Sequence, residues 1–203
     1  MSMRIYTMTH KKFTPLPDPL YVPLHVGRAC GENLGYLGDD TGEQISALNC
    51  YYSELTGFYW IWKNCHDADY VGTCHYRRYL INEKEQIYTE KEYRELLRKY
   101  DLVTTKKVLL NNSYYDGFLA NHNIRALEMT GKVITEKYPE YADAFEQIVN
   151  GRQTYFGNIL VTSKILFDEY ASWLFSIFFE VAERIELETG EDAYHKRVFG
   201  FIS

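Results

Sequence analysis

The 203-residue sequence predicts an α/β fold with a mainly parallel sheet. Two observations support this prediction. Short segments rich in β-branched and aromatic residues alternate along the chain with longer segments of helical periodicity. The composition, with 46% hydrophobic and 25% charged residues, is that of an ordinary globular protein and excludes a largely disordered chain. Because no repeat, low-complexity tract or flexible linker interrupts the pattern, we expect one domain over residues 1–203.

Four segments have the composition of β-strands. They are residues 4–9, 69–76, 101–105 and 155–162. Residues 13–23 hold four of the five prolines in the chain. Because proline lacks a backbone donor, we predict a structured loop there and neither a helix nor a central strand.

Five segments have the periodicity of helices. They are residues 42–63, 89–100, 119–137, 139–149 and 164–188. A threonine followed three residues later by Gln or Glu is a capping-box pattern, and it predicts helix starts at Thr41 and Thr89. Residues 42–63 carry two adjacent apolar stripes, which predicts burial on more than one side. Glu54 lies within one of these stripes, and a buried carboxylate requires a partner.

Basic residues follow three of the predicted strands, although the net charge of the chain is -6. They are His10, Lys11 and Lys12 after the first strand, His75, Arg77 and Arg78 after the second, and Lys106 and Lys107 after the third. In open α/β sheets ligands bind beyond the carboxyl ends of the strands, so these residues predict a cationic rim for an anionic ligand, most simply a diphosphate. The alternative for at least one of Lys106 and Lys107 is a solvated surface position. The overall acidity argues against a nucleic-acid partner.

The sequence indicates a cytoplasmic protein. No segment reaches the about 20 consecutive apolar residues that a membrane-spanning helix needs. The first residues lack the apolar core and cleavage site of a signal peptide. Four cysteines in a chain of this size do not form a disulfide framework.

Two long strings of the sequence carry a family resemblance. Residues 52–63 read YSELTGFYWIWK, and residues 69–79 read DYVGTCHYRRY. Together with matching segments at residues 5–11, 39–46, 167–175 and 197–203, they resemble DUF4422, a family of bacterial glycosyltransferases of capsular or exopolysaccharide synthesis. Members usually continue past the last of these segments, so the resemblance raises truncation at the C-terminus as an expectation.

The resemblance implies a GT-A-like α/β/α sandwich, the fold of nucleotide-diphospho-sugar transferases. It implies transfer of a hexose from a nucleotide-sugar donor, with UDP-hexose the first choice, to a growing capsular or exopolysaccharide acceptor that is free or lipid-linked. Peripheral contact with the inner face of the cell membrane is compatible with such an acceptor. Two alternatives are a non-catalytic module that binds nucleotide sugars or carbohydrate, and a phosphoester hydrolase.

Enzymes of this fold usually hold the donor diphosphate through Mn²⁺ or Mg²⁺ on a D-x-D motif. The chain has Asp67-Ala68-Asp69, but this motif precedes the second predicted strand and is expected at the opposite edge of the sheet. Two hypotheses follow. Either the His75, Arg77 and Arg78 segment stabilises the leaving nucleoside diphosphate in place of a metal, or Asp39 and Asp40 supply a metal site. The metal ligands stay unassigned, and the first hypothesis is slightly favoured.

The resemblance and the strand ends together assign hypothetical roles. Thr9, His10 and Lys11 are expected to line the nucleotide pocket. Arg77 or Arg78 contacts the diphosphate, and the other pairs with Glu54 or packs structurally, because neighbouring residues of an extended segment point in opposite directions. Asp39 and Asp40 bind sugar hydroxyls, or else are the first-turn acids of the following helix. Asp116 and His122 are the candidates for a general base on the acceptor hydroxyl.

Overall fold

A six-stranded sheet organises the fold, which is described by a computed structural model for residues 2–187 and 196–203. The strands of the chain are β1 (Met3–Thr9), β2 (Tyr21–His25), β3 (Leu37–Gly38), β4 (Tyr70–His75), β5 (Leu102–Thr104), β6 (Val108–Leu109), β7 (Gln153–Thr154) and β8 (Leu160–Ser163). The main sheet has the order β3-β2-β1-β4-β8-β5, and β6 pairs with β7 in a separate ribbon.

The sheet is mainly parallel, as the sequence predicts. β1 pairs in parallel with β2 and β4, and β2 pairs in parallel with β3. β8 runs antiparallel to both β4 and β5. The carboxyl ends of five strands and the amino end of β8 therefore meet at one edge of the sheet, which we call the carboxyl edge.

Helices cover both faces of the sheet. They are α1 (Asn49–Tyr52), α2 (Leu55–Asn64), α3 (Glu90–Leu97), α4 (Tyr114–Asn121), α5 (Ile124–Lys137), α6 (Ala142–Asn150), α7 (Lys164–Arg184) and α8 (Val198–Ile202). On one face, Tyr6 and Met8 of β1 join a core formed with α2, α5 and α7. On the other face, Ile5 packs with Tyr93 of α3. This alternation along β1 produces the predicted sandwich of helices around a sheet.

The predicted capping box of α3 is confirmed. The hydroxyl of Thr89 accepts a hydrogen bond from the backbone N–H of Glu92, and the Glu92 carboxylate accepts one from the backbone N–H of Thr89. These hydrogen bonds from Thr89 lower the pKa of Glu92 to about 2. The helix starts at the predicted position because two of its unpaired backbone donors are satisfied locally.

The predicted helix over residues 42–63 is wrong at its start and in its continuity. The Thr41 hydroxyl accepts a hydrogen bond from the Trp60 indole and caps no helix. A short 3-10 turn spans Ser46–Leu48, and α1 is separated from α2 by Ser53, whose φ of 51° lies in the left-handed region. A non-glycine residue in this conformation breaks helical hydrogen bonding. The apolar stripes are nevertheless buried as predicted, because α2 packs against α7 through the stacked rings of Phe58 and Phe167.

The prediction of a structured loop over residues 13–23 is wrong at its end. Residues Tyr21–His25 form β2, which pairs along β1 with Pro23 opposite Thr7. β3 pairs only with Leu24 and His25, so Pro23 has a neighbouring strand on one side only. A proline is tolerated there because no second strand needs its missing N–H.

Three other boundaries differ from the sequence prediction. The segment 119–137 is two helices, α4 and α5, separated at Asn123, whose side chain caps α5 by accepting from the Arg125 N–H. The strand predicted at 155–162 is confined to Leu160–Ser163. α7 ends at Arg184, and position 188 of the prediction lies outside the described residues. Within residues 2–187 and 196–203, no helix combines the length and apolar composition needed to cross a membrane.

Close packing of α2 on the sheet gives a stability test at Gly57. A Cβ at this position would lie 2.5 Å from Met8 Sδ and 2.8 Å from Val26 Cγ1, both of which are buried. Gly57→Ala is therefore expected to lower the free energy of unfolding by about 1–3 kcal/mol through overpacking. Gly117 in α4 is the matched control, because a Cβ there meets nothing within 4 Å.

Gly117→Ala is expected to raise the free energy of unfolding by about 0.5–1 kcal/mol, since alanine is the better helix former. Urea denaturation of both variants measures the difference. Equal effects of the two substitutions would contradict the described packing of α2.

Candidate functional site

The carboxyl edge brings together residues from five separate parts of the chain. Thr9 ends β1, His25 ends β2, and Asp39 directly follows β3. His75 ends β4, and Asn158 precedes the antiparallel strand β8. In open α/β sheets this edge is the usual ligand-binding position. The predicted site residues after the first two predicted strands therefore lie at the same edge.

Basic residues lie around His10. The pKa of His10 is lowered first by burial and then by the charges of Lys11, Arg197, Arg77 and His25. These neighbours come from the ends of β1, β2 and β4 and from the segment before α8. Within the part of the chain that the structure describes, Lys11, Arg77 and Arg197 form no ion pair. The charges of these three side chains are therefore not neutralised by a carboxylate of the described residues.

An aromatic wall lies next to these charges. The Tyr76 ring contacts the His10 ring at a centroid distance of 5.7 Å and the Phe13 ring at 5.9 Å. The Arg77 guanidinium lies over the Tyr76 ring, 4.8 Å from its centroid. Tyr36 extends the wall, since its hydroxyl donates to the Phe13 carbonyl oxygen at 2.7 Å. Aromatic faces beside cations suit a ligand that combines a flat ring with negative charge.

Thr9 is a buried residue that shapes the end of β1. Its hydroxyl donates to the Lys11 carbonyl oxygen at 2.5 Å and accepts from the Lys11 backbone N–H at 3.1 Å. This local turn fixes the direction in which the chain leaves the strand. Thr9 thereby positions His10 and Lys11, and its hydroxyl is occupied by protein partners.

Asp39 has a positioning role that the sequence prediction missed. Its side chain is fully buried and accepts hydrogen bonds from four donors. These are the backbone N–H groups of Gly27 and Arg28 and the hydroxyls of Ser46 and Thr56. No helix begins at Asp39, so the first-turn interpretation is wrong, and the saturated carboxylate has no free oxygen for a sugar hydroxyl. Asp40 is half-buried and lies 3.5 Å from Arg28 through its Oδ2.

The D-x-D motif lies at the opposite edge, as the sequence predicts. Asp67 forms an ion pair with Arg4 near the start of β1, and the Asp69 carboxylate accepts from the Ser2 backbone N–H at 2.6 Å. No three or more His, Cys, Asp or Glu residues among those described are grouped to hold a metal ion. The saturated carboxylate of Asp39 has no lone pair left for a metal ion, and the metal dependence of the site stays a prediction.

Glu54 forms no ion pair with an arginine among the described residues, so that one of the two alternatives for the second arginine is wrong. Its Oε1 accepts a hydrogen bond from the Asn158 side-chain amide at 2.8 Å. Asn158 adopts a φ of 48°, a left-handed conformation that asparagine tolerates better than most residues. The Thr73 hydroxyl donates to the Asn158 carbonyl oxygen, and His75 contacts the Gly157 carbonyl oxygen. The end of β4 thus fixes the Asn158 amide, which in turn holds Glu54.

Arg77 and Arg78 have different surroundings. Arg78 closes a tight turn, because its backbone N–H and carbonyl exchange hydrogen bonds with His75. Both side chains are exposed, but only Arg77 contacts the Tyr76 ring and influences His10. Of the two arginines, Arg77 therefore lies beside His10 and Tyr76.

The two general-base candidates have protein partners. The Asp116 carboxylate accepts from the Ser113 hydroxyl at 2.7 Å in the first turn of α4. The His122 ring stacks on Phe201 of α8 at a centroid distance of 4.2 Å. Asp116 therefore has a helix-capping role. The catalytic assignment of either residue stays a prediction.

Lys106 and Lys107 differ in exposure from Tyr114 and Tyr115. Lys106 and Lys107 follow β5 and are exposed. The Tyr114 hydroxyl donates to the Phe201 carbonyl oxygen, and burial raises the pKa of Tyr114 to about 12. The Tyr115 hydroxyl donates to Glu128. Tyr114 and Tyr115 are thus engaged within the protein.

Sequence reasoning missed three residues of this edge. His25 was missed because the prolines of residues 13–23 predicted a loop, so that no strand was expected to end at His25. Asn158 was missed because the predicted strand 155–162 included it, whereas the observed strand β8 begins at Leu160. Arg197 lies far along the chain, and only the packing of α8 brings it to His10. One signal in the sequence could have suggested this position: Arg197 directly precedes the short apolar segment 198–202.

Comparison with solved structures identifies the class of protein that this fold and edge define. The chain is similar to the bifunctional glycosyltransferase WbbM, whose apo structure it matches with a TM-score of 0.87 and 33% sequence identity. The match covers all of this chain and 40% of that one, so the chain spans well under half the length of WbbM. The protein therefore has the α/β architecture of a glycosyltransferase.

A family model identifies the chain further. The model described as "Domain of unknown function (DUF4422)" matches residues 4–203. The chain belongs to this family, as the sequence resemblance indicated. Comparison with curated proteins gives no significant match.

The buried carboxylate of Asp39 gives a second stability test. Asp39→Asn replaces one acceptor oxygen by an NH₂ group that faces protein donors. The free energy of unfolding is expected to fall by about 2–4 kcal/mol, because charge-assisted hydrogen bonds are lost and a buried donor is left unpaired. Asp40→Asn is the control and is expected to cost under about 1 kcal/mol, since its one ion pair is half-exposed. Similar losses for both, measured by urea denaturation, would contradict the assigned role of Asp39.

The burial of His25 predicts a pH dependence of stability. Burial is the largest cause that lowers the pKa of His25 below its ordinary 6.5, and Arg28 adds to it while Asp39 and Asp40 oppose it. The unfolded chain therefore binds the proton at higher pH, and the free energy of unfolding falls as the pH drops below about 6.5. At pH 5.5 this histidine contributes at most about 1.4 kcal/mol of that loss.

The measurement is urea denaturation of the wild type and His25→Gln at pH 7.5 and 5.5. The variant is expected to lose less stability than the wild type over this interval. An identical loss in both proteins would show that His25 is not the group responsible.

Proposed function

We propose that the chain is a glycosyltransferase domain that transfers a hexose from a nucleotide-diphosphate sugar to a saccharide acceptor. The observation that carries the proposal is the contact of both His10 and Arg77 with the Tyr76 ring at the carboxyl edge, next to Lys11, with no ion pair to Lys11 or Arg77 among the described residues. Like charges gather against their mutual repulsion where an anionic ligand compensates them. The similarity to a glycosyltransferase of known structure supports the reaction class.

The donor diphosphate is assigned to Lys11 and Arg77. An arginine fork matches phosphate oxygens, and a lysine adds a mobile point charge. His10, whose pKa is lowered, is neutral at pH 7 and offers a ring N–H to the same ligand. Tyr76 and Phe13 provide a surface for the base. In this arrangement the side chains stabilise the leaving nucleoside diphosphate directly.

The sugar is assigned to the neighbouring acidic groups. Glu54, held by Asn158, and Asp40 are the carboxylates proposed to accept hydrogen bonds from its hydroxyls. His122 or Asp116 remains the proposed base if the reaction inverts the anomeric centre. The proposed acceptor is a growing capsular or exopolysaccharide chain, free or lipid-linked, at the cytoplasmic face of the membrane. The family resemblance supports that acceptor.

The proposal is tested with a panel of nucleotide sugars, with and without EDTA, by measuring binding and release of nucleoside diphosphate. Release that increases with a saccharide acceptor is the expected result, and persistence in EDTA is expected because the proposal assigns the diphosphate to Lys11 and Arg77 directly. Binding without release would indicate a non-catalytic module. Hydrolysis of simple phosphate esters without preference for nucleotide sugars would overturn the proposal.

Separate substitution of the two neighbouring arginines tests the diphosphate assignment. Arg77→Ala is expected to weaken UDP binding at least about tenfold, the equivalent of one charge-assisted hydrogen bond. Arg78→Ala is the matched control and is expected to change the affinity less than about threefold, because its backbone forms the turn and its side chain lies outside the cluster. Isothermal titration calorimetry measures both. Equal affinities in the two variants would contradict the assignment.

A further inference from the structure

The last helix, α8, is seated firmly on the protein beside the carboxyl edge. Phe199 is fully buried and stacks on Tyr52 at a centroid distance of 4.6 Å. It also contacts Phe178 of α7 at 4.9 Å. Gly200 lies against Ser53, where a Cβ would come within 3.0 Å of the serine Cβ. The left-handed break between α1 and α2 thus forms part of the surface on which α8 rests.

Asn158 connects α8 to the sheet. Its side-chain amide lies 3.2 Å from the Gly200 carbonyl oxygen and 2.9 Å from Ser203 Oγ, in addition to its contact with Glu54. One NH₂ group therefore serves three acceptors from two segments of the chain. Because Thr73 of β4 holds the Asn158 backbone, the position of α8 is tied to the end of β4.

This docking places Arg197 at the carboxyl edge, three residues before Gly200, whose carbonyl oxygen contacts the Asn158 amide. Arg197 immediately precedes α8, is exposed, and contributes its charge to the lowered pKa of His10. The chain has 28 acidic residues. Elsewhere in the fold, arginines form ion pairs with such residues, as Arg4, Arg94 and Arg184 do. Arg197 has no such partner among the described residues. An arginine without an acidic partner at this edge is available to an anionic ligand.

We propose that Arg197 binds the diphosphate of the donor and that Asn158 is a positioning residue, which holds α8 so that Arg197 faces Arg77 across the ligand. This inference rests on the proposed function and extends the donor site to a segment outside the sheet. A diphosphate carries charge on two phosphoryl groups, so arginines from two separate segments can each form a bidentate contact. The ligand class is a nucleoside diphosphate or its sugar ester.

The first experiment measures the affinity for UDP by calorimetry in the wild type, Arg197→Ala, Arg197→Lys and Lys196→Ala. Arg197→Ala is expected to bind at least about tenfold more weakly, and the lysine variant is expected to recover part of the affinity because it keeps the charge. Lys196 is the matched control, because it lies with Asn123 and Ile185 on another surface. Its substitution is expected to change the affinity less than about twofold.

The second experiment tests whether Asn158 acts through Arg197. Asn158→Ala is expected to weaken UDP binding in the wild type but to have no further effect in the Arg197→Ala background. Additive losses in this double-mutant cycle would overturn the positioning role, because a purely structural defect would act in both backgrounds. If Asn158→Ala fails to fold, Ser203→Ala removes one partner of the amide from an end of the chain and replaces it in the cycle.

The outcomes separate this inference from the proposed function. If the wild type binds UDP and Arg197→Ala binds it equally well, Arg197 is not a ligand residue, while the transferase proposal stands. If the wild type binds neither UDP nor any nucleotide sugar, both proposals fall. Unchanged thermal unfolding of Arg197→Ala together with weakened binding supports the inference.

Discussion

The carboxylate of Asp39 is the interaction on which the organisation of the site depends. It has no solvent exposure and accepts from the loop after β2, from the 3-10 turn before α1 and from α2. A buried carboxylate is costly unless every lone pair is used, so these three segments are held in one arrangement. That arrangement fixes α2 under the carboxyl edge and sets the elbow at Ser53 from which Glu54 extends. Asp39 therefore has a structural role: it holds the segments that form the site and does not contact the ligand.

The second constraint is the distribution of charge, which the net charge of the chain does not reveal. The chain is acidic overall, at -6, yet cations from three separate segments gather around His10. Elsewhere in the described structure carboxylates pair with arginines such as Arg184. At the carboxyl edge three acidic groups have protein partners: Asp39 has its four donors, Glu54 has Asn158 and Asp40 has Arg28. Among the described residues none of them forms an ion pair with Lys11, Arg77 or Arg197, which leaves these three cations available to an anionic ligand.

The sequence was sufficient for the fold class, the strands β1 and β4 and the basic residues that follow both strands, because short-range patterns determine them. It was insufficient where long-range packing overrides local preference. The prolines argued against β2, which is stabilised by pairing with β1 and tolerates Pro23 at a stretch with one neighbouring strand. Glu54 was correctly expected to need a partner, but Asn158 is 104 residues away and no local pattern relates the two. Arg197 reaches the site only because Phe199 anchors α8 in the core.

The most direct measurement of the central claim is a crystal structure of this chain with bound UDP, grown without divalent metal. The account predicts the two phosphates between Lys11, Arg77 and Arg197, with the uracil near Tyr76, and Asp39 still hydrogen-bonded to its four protein donors. Phosphates bound away from these cations would contradict it. So would an Asp39 carboxylate that has left its donors to contact the ligand.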